Sequence, residues 1–167
     1  MKKVIFILPL FLACKEPPLQ KPVGQNHSDS AMEVSKSRAK TLNEKERELI
    51  SEWIKHQKVT FYSTSMNYWV DIKDFKKRSP RNKGEKVSYQ YQLYDFTPSL
   101  IYEKPIRKSD QVIGKINDLM AVQDAIKYLK SGESATLLVP SVLAFGTYGD
   151  NDKIQNDVPL IIKIKMN

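Results

Sequence analysis

The chain holds a single cysteine, Cys14, in 167 residues, so no internal disulfide is possible. Its two histidines, His27 and His56, stand far apart, and with one cysteine they make too small a ligand set for a zinc centre. The one long apolar run, residues 4–13, would reach about 15 Å as a helix, half of a hydrocarbon core of about 30 Å, which excludes a spanning helix there. Internal repeats are absent, and strands do not alternate with helices in a βαβ series. No basic helix and no RNA-binding aromatic signature accompanies the net charge of +8, so the basic balance reads as solubility and not as nucleic-acid binding. Ser141 lacks the glycines of a nucleophile elbow, and neither histidine has a triad context. Asp150-Asn151-Asp152 with Asn156-Asp157 lacks the sixth-position glycine and distal glutamate of an EF-hand loop, and reads as an exposed turn. A zinc centre, an EF-hand and a serine or histidine nucleophile site thus lack their residues.

What is present begins with a leader. Lys2 and Lys3 precede the apolar run VIFILPLFLA, which ends at Phe11-Leu12-Ala13-Cys14. Charge, apolar length and the small residue before cysteine resemble a bacterial lipobox. That predicts residues 1–13 as a signal peptide and Cys14 as a diacylated N-terminus holding the protein on an envelope membrane, inner or outer. Phe11 departs from the usual leucine, and cleavage after Ala13 with a free thiol is the alternative. Residues 14–40 are rich in Pro, Lys and Ser with few large apolar groups. Burial there is too small to offset ordering entropy, so a flexible tether is expected.

The remaining residues, 41–167, are expected to form one domain, a size that can enclose a single core. Thr41 or Asn43 is placed to cap a helix whose early turns carry Glu44, Glu46 and Glu48. Leu42, Leu49, Ile50, Trp53 and Ile54 give that helix an apolar stripe, read as a docking face, and His56 lies near its C-terminal end. β-rich segments follow at 59–62 and 68–72, then a charged loop at 73–85. In 85–96 Val87, Tyr89, Tyr91 and Leu93 alternate with polar residues, as in a half-buried antiparallel strand. Short strands are expected at 101–102 and 111–114, a helix over 117–130, and strands at 134–139 and 160–166. The helix stripe is Leu119, Val122, Ala125, Ile126 and Leu129, with Ser131-Gly132 ending it. The pattern predicts an α+β fold, an antiparallel sheet packed on one helix, with an extra N-terminal helix.

Gly132-Glu133, the strand ATLLVP, Ser141-x-Leu143-Ala144-Phe145-Gly146, Gly149-Asp150, Ile154 and the strand from Pro159 occur in an order that resembles the FKBP-type peptidyl-prolyl isomerases. Lys83-Gly84-Glu85-Lys86-Val87-x-Tyr89-x-Tyr91 looks like an early strand of that family. The match covers about half of the chain by motif. With Asn43-x-x-Glu46, Tyr68-Trp69, Tyr148 and the lipobox, the chain looks more narrowly like the gliding-motility-associated FKBP lipoproteins of Bacteroidetes. The resemblance implies a five- or six-stranded antiparallel sheet curled around one helix, no cofactor, no metal, and proline-containing polypeptide clients. It implies nothing about oligomeric state.

Such a domain faces one problem. Rotation about the amide bond costs about 18–20 kcal/mol because it breaks C–N resonance, whereas the two X-Pro isomers differ by only about 0.5–1 kcal/mol. A dry apolar pocket favours the less dipolar, twisted amide, and fixed donors hold the flanking backbone. By the resemblance, Tyr91 stands on the strand wall, Tyr102 and Glu103 replace an aromatic–Asp pair, and Leu119 offers its backbone N–H. Val122 forms the floor, Phe145 stands where a tyrosine hydroxyl usually reaches substrate, Ile154 is at a loop tip, and Ile162 is on the last strand. Val122, Phe145, Glu103 and Ile162 depart from the family pattern. The resemblance therefore implies either a membrane-tethered isomerase or a chaperone or binding module of the same fold with weakened catalysis.

Overall fold

The computed structural model describes residues 25–167, with side chains from residue 30. The leader and Cys14 lie outside the described residues. The chain divides into two compact units, 1–36 and 37–167. Of the first, the described part is the start of helix α1 (Gln25–Lys55), whose side chains from Ser30 to Lys36 are exposed.

The helix therefore begins well before Thr41, and residues 25–40 are helical where composition predicts a tether. Composition measures the capacity for burial, and the side chains of 30–40 bury nothing. Local propensity is a separate quantity: Ala31, Met32, Glu33, Lys36, Arg38, Ala39 and Lys40 are good helix formers that extend the packed turns after them. Thr41 and Asn43 are consequently interior to the helix and cap nothing.

In the second unit six strands form one antiparallel sheet in the order β1-β2-β5-β6-β3-β4. They are β1 (Tyr62–Ser63), β2 (Trp69–Val70), β3 (Lys86–Tyr94), β4 (Ile106–Val112), β5 (Ser134–Val139) and β6 (Leu160–Met166). Helix α2 (Met120–Tyr128) falls between β4 and β5. Period-two alternation gives the sheet two distinct faces. Val87, Tyr89, Tyr91 and Leu93 of β3, Leu137 and Val139 of β5, and Ile162 and Ile164 of β6 join the main core, with Val122, Ala125 and Ile126 of α2. Trp69, Leu138 and Ile161 point the other way and form a second cluster with Ile50, flanked by Trp53, Ile54, Phe61, Tyr94 and Phe96. The α1 stripe is thus a docking face, centred on Ile50 at 0% exposure, while Leu49 is 46% exposed and stands outside it. Trp53 meets Phe61 and Phe96 edge-on, at centroid distances of 5.9 and 5.5 Å.

Two sequence expectations shift. Leu100 makes only an isolated bridge to Tyr94, and the expected strand at 101–102 reduces to the Ile101 N–H donating to the Leu93 carbonyl at 3.0 Å. The strand expected at 111–114 is the end of β4, a longer edge strand that pairs with one side of β3 while β6 pairs with the other, with a register shift between Val87 and Tyr89. Its sequence IRKSDQV carries no alternating apolar signal because its outer edge needs none, and charged side chains protect such edges.

The short helix α2 is terminated by arginines from the 73–85 loop. Arg78 donates to the Tyr128 carbonyl at 3.2 Å, and Arg81 to the Leu129 carbonyl at 2.9 Å, satisfying groups a helix end leaves open. Arg78 also forks onto Glu133 at 2.7 and 2.8 Å, the glutamate after Gly132. The hydrogen bond from Arg78 holds the Glu133 carboxyl below its ordinary value, against the effect of burial.

Two outcomes follow from this packing. Ile50→Ala lowers the unfolding free energy by about 2–4 kcal/mol in urea titration, whereas Leu49→Ala changes it by less than about 0.5 kcal/mol. The Arg78–Glu133 contribution is full above the ordinary carboxyl value of 4.5 and is lost as pH falls through the lowered folded value. Arg78→Met therefore destabilises most near neutrality, and the gap to wild type narrows in acid.

Candidate functional site

Tyr89 and Tyr91 are two residues apart on β3, so both rings lie on the inner face, stacked at 6.4 Å between centroids and 15° between planes. Their hydroxyls converge on one carboxylate just before α2. Tyr91 donates to Asp118 Oδ1 at 2.6 Å and Tyr89 donates to Asp118 Oδ2 at 2.8 Å. The Leu119 N–H also donates to Asp118 Oδ1, at 2.8 Å. Burial, and then the hydrogen bond to Asp118, push both phenols well above their ordinary range, so they stay protonated as donors. Gln123 closes the turn by donating to the Asp118 carbonyl at 2.6 Å.

A second cluster joins the segment before β4 to the loop before β6. The Tyr102 hydroxyl donates to Asp150 and lies 3.3 Å from Asp152. The hydrogen bond to Asp150, followed by desolvation, pushes this phenol up to about 12. Asp150 Oδ1 also accepts the N–H groups of Asp152 at 3.0 Å and Ile154 at 2.8 Å. Burial opposes ionisation of Asp150, but the Tyr102 hydroxyl and the backbone donors outweigh it and its carboxyl is lowered. The Lys153 ammonium donates to the Ile101 carbonyl at 3.2 Å and sits 5.2 Å from the Tyr102 ring centroid. Gly149 makes this turn possible: its φ is +67°, and a Cβ there would stand 2.3 Å from the Ile154 carbonyl oxygen.

Of the residues named from the sequence, Tyr91, Val122, Ile154 and Ile162 are buried members of one core cluster. Leu119, Tyr102 and Phe145 are partly buried against it and form its rim. Seven of the eight therefore belong to one core, buried in it or packed against it. Glu103 is the exception and is exposed, while the carboxylate that accepts from Tyr91 is that of Asp118. The Leu119 N–H, expected to face a bound peptide, is directed to Asp118. Asp118 carries a sequence signal only through the pair of tyrosines at i and i+2 on the strand it faces. A cleft of about 370 Å³ is lined by Gln90, Gln92, Thr136, Lys163 and Lys165 together with Tyr91, Pro105, Ala135 and Ile164. Among the described residues no group of three or more His, Cys, Asp or Glu is placed to hold a metal ion, and no helix is long and apolar enough to cross a membrane.

A six-stranded antiparallel sheet packed on one helix is an arrangement found in solved structures. The chain is similar to a peptidyl-prolyl cis-trans isomerase from Pseudomonas syringae pv. tomato, at 16% identity, with 76% of this chain and 92% of that one covered and a TM-score of 0.52. It is also similar to FkpA from Escherichia coli, at 13% identity, with 88% and 73% covered and a TM-score of 0.54. The fold is FKBP-like. No model of a protein family matches the chain, and no curated protein matches it in sequence. In this FKBP-like fold β3 carries Tyr91, α2 carries Val122, and the 141–157 segment carries Phe145 and Ile154, all packed in one core cluster.

Asp118→Ala leaves two buried hydroxyls and one N–H without their acceptor. It costs about 2–3 kcal/mol in urea unfolding, more than the roughly 1 kcal/mol of either Tyr89→Phe or Tyr91→Phe.

Proposed function

We propose that the protein is a peptidyl-prolyl cis-trans isomerase acting on proline-containing segments of exported proteins. One observation supports this reading: Tyr91, Val122, Ile154 and Ile162, with the partly buried Tyr102, Leu119 and Phe145, share one core in an FKBP-like fold. These are the residue types the reaction needs. An apolar, aromatic surface excludes water and disfavours the planar, dipolar amide relative to the twisted one. No group has to form a bond to the substrate. The lipobox-like run before Cys14 supports tethering to an envelope membrane, and the likeness to gliding-motility-associated lipoproteins supports clients among envelope or surface components.

A second reading has its own support. Phe145 carries no hydroxyl, and the Leu119 N–H is already committed to Asp118. Two donors that would hold a substrate backbone are thus missing or occupied, which favours a client-binding module with slow turnover. Each lost hydrogen bond removes about 1 kcal/mol of transition-state preference, and together they lower turnover tenfold or more.

Isomerisation of an X-Pro peptide by the purified protein separates the two readings. Acceleration above background that collapses in the Tyr91→Ala, Ile154→Ala double variant supports the isomerase. Phe145→Tyr, which restores a donor at the rim, then raises kcat/KM by roughly three- to tenfold. A folded protein that binds proline-containing chains without accelerating them supports the binding module.

A further inference from the structure

Ser141 begins the rim segment as the first residue of a 3-10 turn, Ser141–Leu143, and is 2% exposed. Its carbonyl accepts the N–H groups of Ala144 at 2.9 Å and Gly146 at 2.8 Å, the residues on either side of Phe145. Ser141 itself is held from α1. The Glu46 carboxylate, 4% exposed, accepts the Ser141 N–H at 2.7 Å and its hydroxyl at 2.6 Å. A second tie runs parallel to the first. Arg38 of α1 pairs with Asp157 at 3.1 Å, and the Asp157 N–H donates to the Gly146 carbonyl at 2.9 Å. The helix that covers the outer face of the sheet therefore grips the backbone on both sides of a rim residue belonging to the inner face.

Packing alone does not require this. Ile50, Trp53 and Ile54 already dock α1 through apolar contact. A carboxylate is costly to bury, and here both of its oxygens are spent on one serine. Such a pair holds a position more than it adds stability.

We propose that Glu46 is a positioning residue of the site: acting through Ser141, it sets the place of Phe145 and so the shape of the rim that a proline-containing chain meets. The proposal rests on the isomerase reading for its activity arm and is independent of it for its structural arm. The experiment compares full-length wild type with Glu46→Ala, Glu46→Gln and Ser141→Ala, by X-Pro isomerisation and by amide hydrogen exchange. In Glu46→Ala, kcat/KM falls about tenfold, mostly through KM, the change expected when a charge-assisted pair is lost. Glu46→Gln, which keeps one acceptor oxygen, falls between it and wild type. Exchange at Ala144 and Gly146 quickens in Glu46→Ala while β5 and β6 stay protected, and adding Ser141→Ala to Glu46→Ala changes little further, because the two act as one unit. A lowered Tm with unchanged kcat/KM per folded molecule and unchanged exchange at Ala144 and Gly146 overturns the proposal. If wild type shows no isomerisation, the isomerase reading falls and the exchange result alone decides this one: quickened exchange upholds it, unchanged exchange rejects it. Should Glu46→Ala fail to fold, Glu46→Gln gives the same two readouts.

Discussion

A sheet with apolar side chains on both faces has to be covered on both faces, and the rest of this structure depends on that constraint. Leu137 and Leu138 are consecutive on β5, so alternation sends one into each cluster, and Ile161 and Ile162 repeat the division on β6. The inner face takes α2. The outer face takes Ile50, Trp53 and Ile54 of α1 at the end where Trp69, Leu138 and Ile161 project, and remains polar where Gln90, Thr136, Lys163 and Lys165 stand. Without α1, the outer cluster would expose a contiguous apolar patch in water.

The site is a consequence of how α2 meets the sheet. Nine residues of helix cross the inner face and are stopped by Arg78 and Arg81 at one end. At the other end Asp118 is drawn away from a capping role by two tyrosine hydroxyls. This fixes where Leu119 and Val122 lie relative to Tyr91. The rim is built separately, from a turn that only glycine at 149 permits and a serine hub held by Glu46. Floor and rim thus come from distant parts of the chain and are secured by different polar groups.

Most elements were legible because burial imposes periodicity. β3, β5 and β6 read clearly, since each alternates or is buried on both faces, and α2 reads from its stripe. Only the 111–112 end of β4 is legible, because an edge strand with charged residues has no periodic burial to report. The extension of α1 to Gln25 was missed for the opposite reason: its helicity comes from local propensity, which a burial argument does not register. The apolar candidates rest on a family likeness in motif order, whereas Asp118, the acceptor of the Tyr91 hydroxyl, meets it only through tertiary packing.

Side-chain type and spacing alone set the alternation of the sheet, the docking stripe of α1, the lack of an internal disulfide, and most of the apolar residues of the core. These are properties of single segments, set by side-chain type and spacing. Only the tertiary structure decided which polar groups meet: Asp118 with Tyr89 and Tyr91, Asp150 with Tyr102, and Glu46 with Ser141 across 95 positions of chain. Hydrogen bonds are short and directional, so a shift of one residue in register or one turn of helix exchanges their partners. Apolar contact tolerates such shifts, and for that reason the core could be read in advance while the pairing of its polar groups could not.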